Sequence, residues 1–176
     1  MHARLQLQSA AETIDADRMI VQSVISTSEP DRAGDVVEPL GLRNAGEFLA
    51  NPVVLWAHQR GVPPIGTCLD LQVLPDRIVA RTKFAAASPL AADIFRLYRD
   101  GVLRGWSIGF LPVRSVPIRG GGSRVEQWDL LEYSAVPVPE NPRALTLAVE
   151  KGVVRHSNLL RWLMRQTDVL ANLLRA

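Results

Sequence analysis

The sequence lacks the residues that disulfide-bonded or membrane-spanning architectures require. Cys68 is the only cysteine among 176 residues, so neither an intramolecular disulfide nor a cysteine-built zinc site can form. No run approaches the roughly 20 apolar residues of a membrane span. Residues 1–18 carry acidic and polar side chains where a signal peptide would need an apolar run. We therefore expect a soluble protein of a reducing, cytoplasmic compartment, with no membrane partner.

An excess of charge of one sign is also missing. Twenty Lys and Arg against eighteen Asp and Glu give a formal net charge of +2, which is too small to indicate a nucleic-acid partner. The three histidines, His2, His58 and His156, are too scattered to form a recognisable metal-ligand motif. We therefore expect no nucleic acid, no metal and no other cofactor.

What the sequence does contain is the composition of one folded domain. Hydrophobic residues make up 47% and charged residues 22%, close to the average of soluble globular chains. A chain of 176 residues can fill one core but not two with a linker. We divide it into a flexible N-terminal segment (1–17), one domain (18–150) and a C-terminal amphipathic helix (151–176). Apolar residues at helical spacing indicate that helix: Leu159, Leu163, Leu170 and Leu174.

The sequence pattern of the domain predicts mainly short strands. Alternating runs rich in β-branched residues, separated by Pro, Gly and Asp, predict about seven or eight strands. The clearest helix covers residues 88–100, because Ser88 is a good N-cap, Pro89 suits the first turn and Gly101 suits a left-handed exit. Strands and helices do not alternate as they do in a doubly wound sheet. The pattern therefore predicts a mainly β fold, an antiparallel barrel or sandwich with one central and one terminal helix.

Residues 105–109 (GWSIG) match Gly-x-Ser-x-Gly, the nucleophile elbow of α/β-hydrolases. That elbow needs a helix directly after the serine, whereas residues 110–122 contain two prolines and three glycines. As a strand, the segment places Trp106 on one face and Ser107, between two glycines, on the other. An extended substrate could lie against that second face, or the glycines could simply serve a close strand crossing. An α/β-hydrolase-type esterase is kept as an alternative.

His58 and Glu132 stand where acid–base chemistry is possible. His58 ends an apolar run before a turn-rich loop, which suits a general base, although a lone histidine is more often structural. Glu132 shares one face of an apolar strand with Ser134 and Val136. A carboxylate there is costly unless it is paired or hydrogen-bonded. Its partner is either a histidine imidazole or an arginine in a structural ion pair.

Several segments in order resemble the prohead protease family of tailed phages, the capsid-maturation serine peptidases related to the herpesvirus assemblins. The resemblance covers roughly residues 18–149. Each segment alone is weak evidence for the resemblance. The order is specific, because the histidine comes before the serine and the acidic strand comes after it. The segments are 31–39 (DRAGDVVEP), 54–58 (VLWAH) with 64–66 (PIG), 101–110 (GVLRGWSIGF), and 131–136 (LEYSAV) leading to 139–144 (PENPRA).

The resemblance implies an assemblin-like β-barrel and a serine endopeptidase. Ser107 matches the nucleophile and His58 the general base of that family. The third member of the catalytic triad in assemblins is a second histidine, on a strand after the serine. Here the matching segment offers Glu132, with Asp35 and Asp129 as substitutes. A carboxylate in that role would orient the imidazole and stabilise its charged form.

By the same analogy, the oxyanion donors are backbone N–H groups of residues 141–144. Arg143 is the candidate charge aid, Pro142 can donate none, and Gly105 and Gly109 are candidate substrate contacts beside the nucleophile.

The implied partners and setting belong to virion assembly. The substrates are the major capsid protein and its scaffold region, with the protease itself as a further candidate. The setting is the assembling prohead in the host cytoplasm, or the cytoplasm of a bacterium carrying a prophage. The apolar stripe of the terminal helix needs burial, so we expect docking or a homodimer or higher homo-oligomer. A non-catalytic β-barrel module that binds capsid subunits is the alternative function.

Overall fold

The computed structural model describes residues 18–147, which build a curled seven-stranded sheet. The predicted mainly β fold with one central helix is confirmed. The expectations for residues 1–17 and for the terminal helix lie outside the described residues. The strands are β1 (Ile20–Thr27), β2 (Val36–Val37), β3 (Val53–Trp56), β4 (Gly66–Val73), β5 (Arg77–Phe84), β6 (Gly105–Pro117) and β7 (Ser123–Val136). The helices are α1 (Ala45–Phe48) and α2 (Pro89–Arg99), and a 3₁₀ turn covers Pro39–Gly41.

The long strand β7 pairs with three other strands, β2, β3 and β6. The strand order is β1-β5-β4-β3-β7-β2, and β6 pairs with β7 as well. Four pairings are antiparallel, as predicted, but β7 runs parallel to both β2 and β3. The chain between β3 and β7 contains β4, β5, α2 and β6. So long a connection allows β7 to run parallel to β3.

The sheet curls because its outer strands are joined through residues 144–147. On one side, Val24 N–H donates to the carbonyl of Leu145 at 3.0 Å. On the other, Trp106 N–H donates to the carbonyl of Ala144 at 2.8 Å. Residues 144–147 therefore bridge β1 and β6, and the curled sheet approaches the predicted barrel.

The β6–β7 hairpin carries the candidate nucleophile. Its turn contains Gly120, Gly121 and Gly122, all with positive φ, which glycine adopts without steric cost. After this turn, β7 runs without interruption from Ser123 to Val136. Cross-strand pairing therefore fixes residues 105–109 against the far end of that one strand.

Helix α2 covers one side of the core. The Ser88 hydroxyl accepts a hydrogen bond from Ala91 N–H at 3.3 Å, and Gly101 exits at φ +74°, both as predicted. Its apolar stripe buries Ile94, Phe95 and Tyr98. Burying one such side chain contributes roughly 1.5–3 kcal/mol. No helix within residues 18–147 is long and apolar enough to cross a membrane.

Candidate active site

Ser107 lies in the middle of a strand, not at an elbow. Trp106 is fully buried, and Ser107 lies on the opposite face of β6, directly across from Ser134 of β7. The chain after Ser107 continues as β6 to Pro117 without a helix. The α/β-hydrolase alternative is therefore wrong.

His58 lies in a turn that directly follows β3. Ala57 and His58 both have positive φ, +48° and +59°, a conformation that costs non-glycine residues about 1–3 kcal/mol each. Two hydrogen bonds to β7 hold the turn. Ala57 N–H donates to the carbonyl of Ala135 at 2.9 Å, and His58 N–H donates to Ser134 Oγ at 3.0 Å. The imidazole is 41% exposed, so the turn keeps it open to solvent.

Glu132 is the buried partner of this histidine. Its side chain is only 3% exposed, and its Oε1 lies 2.8 Å from His58 Nδ1. Its Oε2 accepts a hydrogen bond from the Ser134 hydroxyl at 2.7 Å. If the carboxylate is ionised and the imidazole neutral, Nδ1 carries the hydrogen and Nε2 is left with a free lone pair. The predicted partner of Glu132 is thus the imidazole rather than an arginine.

The sheet register places these groups on one face. Ser134 pairs with Leu55 of β3 on one side and with Ser107 of β6 on the other. Side chains directly opposite each other in neighbouring strands lie about 4.5–5.5 Å apart at Cβ. Glu132, two residues before Ser134, lies on the same face. The register therefore brings the candidate nucleophile, the carboxylate and the histidine turn to one end of β7.

The glycines around Ser107 make room for the protein's own atoms. A Cβ at Gly109 would overlap the Oε1 of Glu132, its cross-strand neighbour. A Cβ at Gly105 would lie 2.6 Å from the carbonyl oxygen of Val136. The sequence left two alternatives for these glycines, room for an extended substrate or a close strand crossing. In the structure that space is filled, and substrate contact at either glycine stays a prediction.

Ser107 borders a cavity of about 230 Å³. Acidic side chains from the turn after β1 and from the loop after β7 line it. A larger cavity of about 750 Å³, at the starts of β1 and β4 and the end of β5, contains none of the candidate site residues. The polar lining of the smaller cavity comprises Ser26, Glu29, Asp31, Asp35, Ser107, Glu140 and Asn141.

The two other candidates for the third member of the catalytic triad have other partners. Asp35 lines the cavity beside Ser107 and accepts a hydrogen bond from Ser123 N–H at 2.7 Å. Asp129 faces Arg43, at 3.7 Å between Oδ1 and Nε. His58 is bonded to Glu132 instead. Among residues 18–147, no group of three or more His, Cys, Asp or Glu side chains is arranged to hold a metal ion.

The predicted oxyanion loop is internally hydrogen-bonded. Arg143 N–H donates to Asn141 Oδ1 and Ala144 N–H to the Asn141 carbonyl, both at 3.0 Å. The Arg143 guanidinium pairs with Glu29 at the rim of the cavity. These N–H groups would have to exchange partners to bind an oxyanion, so their role stays a prediction.

The residue that sequence reasoning left without a role is Ser134. The alternation of β7 placed it beside Glu132, and that was its one sequence signal. Its contact with His58 depends on the β3–β7 pairing and on the left-handed turn.

The chain is similar to proteins of tailed phages. The family model of the caudovirus prohead serine proteases matches residues 8–157. The chain is 30% identical over 146 residues to the capsid polyprotein of Pseudomonas phage PAJU2, covering 79% of this chain and 21% of that protein. It is 29% identical over 150 residues to the prohead protease of Escherichia phage T5, covering 79% of this chain and 69% of that protein. No solved structure matches the chain significantly.

Proposed function

This chain belongs to the caudovirus prohead serine protease family, and we propose that it is a serine endopeptidase of phage head maturation. Ser107 is the proposed nucleophile, His58 the general base and Glu132 the residue that orients it. The observation that carries this assignment is the 2.8 Å contact between His58 Nδ1 and the buried Glu132 carboxylate, on the face that Ser107 shares.

In the proposed acylation step, Ser107 Oγ attacks the scissile carbonyl carbon while His58 Nε2 takes the hydroxyl proton. The Glu132 carboxylate stabilises the imidazolium that forms. His58 then gives this proton to the leaving amine as the C–N bond breaks. The products are a free amine and an acyl ester on Ser107.

Deacylation repeats the same proton transfers with water. His58 Nε2 takes a proton from a water molecule as its oxygen attacks the ester carbonyl. The Ser107 oxygen leaves and recovers the proton from His58, which releases the carboxylic acid product. Two proton transfers in opposite directions leave the enzyme unchanged, so this chemistry requires no additional co-reactant.

The proposed substrates are the major capsid protein and its scaffold region, cleaved inside the assembling prohead in the host cytoplasm. The cavity beside Ser107 is the proposed place for a substrate side chain next to the scissile bond. Assembly as a homodimer or higher homo-oligomer stays part of this proposal, because the predicted terminal helix has an apolar stripe that needs burial.

Co-expression with the capsid protein of the same phage tests the nucleophile and base. Ser107→Ala and His58→Ala should each abolish capsid cleavage, since loss of either group in a serine protease lowers kcat by up to about 10⁶-fold. Ser115→Ala is the matched control, because Ser115 is an exposed serine of the same strand. Gel analysis of the capsid protein and circular dichroism of each purified variant give the readouts.

Unchanged cleavage by folded Ser107→Ala would contradict the mechanism. Capsid binding without cleavage by the wild-type protein would instead favour the non-catalytic assembly module. Treatment of the purified protein with diisopropyl fluorophosphate supplies a test without a substrate, because mass spectrometry should locate the adduct on Ser107.

A further inference from the structure

We propose that Ser134 is a positioning residue of this site, an inference that rests on the proposed function. Its side chain is fully buried in β7. Its hydroxyl accepts a hydrogen bond from His58 N–H at 3.0 Å and donates one to Glu132 Oε2 at 2.7 Å. One hydroxyl thus contacts both the main chain of the proposed base and the carboxylate that orients it.

These contacts close a ring of hydrogen bonds. A serine hydroxyl has one hydrogen to donate and lone pairs that accept. The hydrogen goes to Glu132, and a lone pair receives His58 N–H. Glu132 in turn accepts from His58 Nδ1 at 2.8 Å. The ring begins at the main-chain N–H of His58 and ends at the imidazole of the same residue. It therefore ties the orientation of the imidazole to the backbone of His58.

The main-chain half of this ring holds a conformation that the residue types do not favour. Ala57 and His58 are consecutive non-glycine residues with positive φ. Ala57 N–H binds a main-chain carbonyl, which a substitution does not remove. His58 N–H binds the Ser134 side chain, so its anchor depends on the residue at position 134.

The side-chain half of the ring fixes the carboxylate. Glu132 is buried, and a buried charge requires its hydrogen-bond partners. Without the Ser134 hydroxyl, Oε2 loses the donor that sets the rotation of the carboxylate. Oε1 is then less firmly held at Nδ1, and the imidazole spends less time with Nε2 free to accept a proton. Ser134 acts through these two residues and does not touch the substrate.

A matched pair of variants isolates the hydroxyl. Ser134→Thr and Ser134→Val introduce side chains of nearly the same size, and only threonine keeps the hydroxyl. The first readout is the rate at which diisopropyl fluorophosphate labels Ser107. Labelling by Ser134→Val should fall about 10- to 100-fold below that of Ser134→Thr, the loss typical when a residue that orients a metal-bound histidine or carboxylate is replaced. Capsid cleavage should show this loss in kcat, with little change in KM.

The second readout is the proton NMR signal of His58 Nδ1–H, which does not depend on activity. Ser134→Thr should keep this signal at its downfield position. Ser134→Val should lose it to exchange with water, because the acceptor is no longer held in place. If the wild-type protein is never labelled, the proposed function fails, while this NMR contrast still decides the positioning role.

Ser23→Ala is the control for removing a buried hydroxyl. Ser23 is fully buried in β1, and its Oγ has no hydrogen-bond partner within the described part of the chain. Both readouts should stay at the wild-type level in this variant. Equal labelling rates or equal Nδ1–H signals in Ser134→Thr and Ser134→Val would overturn the proposal. If both variants fail to fold, Ser134→Ala compared with wild type supplies the same two measurements.

Discussion

The two faces of the β6–β7 hairpin are held together by different forces. On the core face, Trp106 stacks on Tyr98 with ring centroids 4.8 Å apart and meets Tyr133 at 5.7 Å. On the opposite face, Ser107 lies across from Ser134, beside Glu132. The core face is stabilised by buried apolar area and by the close packing of its aromatic rings, whereas the site face is stabilised by directional hydrogen bonds. A polar site of three hydrogen bonds is thus held in place by an apolar layer one residue away.

The core face fixes the register on which the site depends. Neighbouring residues of a strand point to opposite faces, so a slip of one residue would move Glu132 into the core and Tyr133 out of it. Burial of Tyr133 and Trp106 makes that slip costly. The aromatic layer therefore secures the alignment of Ser107 with Ser134.

The largest effect expected from this comparison is a loss of kcat in a variant that disturbs the site face alone. Glu132→Gln should lower kcat about 10⁴-fold, because an amide N–H₂ directed at Nδ1 favours the wrong imidazole tautomer. The free energy of unfolding should change far less than the activation free energy. Asp129→Asn is the control and should keep activity. Kinetics of capsid cleavage and urea denaturation measure the two quantities. Full activity in Glu132→Gln would move the third role to Asp35.

The next effect breaks the core face. Trp106→Ala should lower the free energy of unfolding by about 3–5 kcal/mol, since a large buried side chain leaves a cavity that the surroundings fill only in part. It also removes the hydrogen bond from the indole N–H to Thr146 Oγ1, which measures 2.9 Å. Ser107→Ala, one residue away, should unfold near the wild-type urea midpoint. Equal midpoints for the two variants would refute the division between the faces.

The smallest effect, and the most specific to the core face, appears at alkaline pH. Burial raises the pKa of Tyr98 and of Tyr133 well above the ordinary tyrosine value. The native state therefore keeps phenol protons that the unfolded state releases above about pH 10. Stability present below that pH should fall as pH rises, by up to about 1.4 kcal/mol per pH unit for each such phenol. Urea denaturation from pH 8 to 11 measures this slope, and Tyr133→Phe should reduce it.

Local features of both faces were predictable from the sequence. The alternation of residues 105–110 separated Ser107 from Trp106, and the same pattern put Ser134 beside Glu132. The signals at the ends of helix α2 were equally local. The partner of Glu132 was not predictable in the same way, because two candidates remained and the choice depended on the parallel pairing of β3 with β7. The left-handed turn at His58 has no signal in the residue types that form it.

The two glycines beside Ser107 show why a strand pattern does not identify its own physical cause. Glycine in a strand marks a close approach, but the sequence does not say what approaches. A substrate and a neighbouring strand were both possible. The structure places the Glu132 carboxylate against Gly109 and a main-chain carbonyl against Gly105. Only the cross-strand register distinguishes these cases.

The bridge at residues 144–147 sets a time order for the folding of the sheet. These residues pair with Gln22 and Val24 at the other end of the domain, and Thr146 supplies the partner of the Trp106 indole. Contacts between parts of a chain so far apart in sequence form slowly, because a long loop must be closed first. A ribosome therefore has to release the whole domain before the sheet can close. We therefore expect β1 and the Trp106 side of β6 to reach their final packing only after residue 147 has left the ribosome.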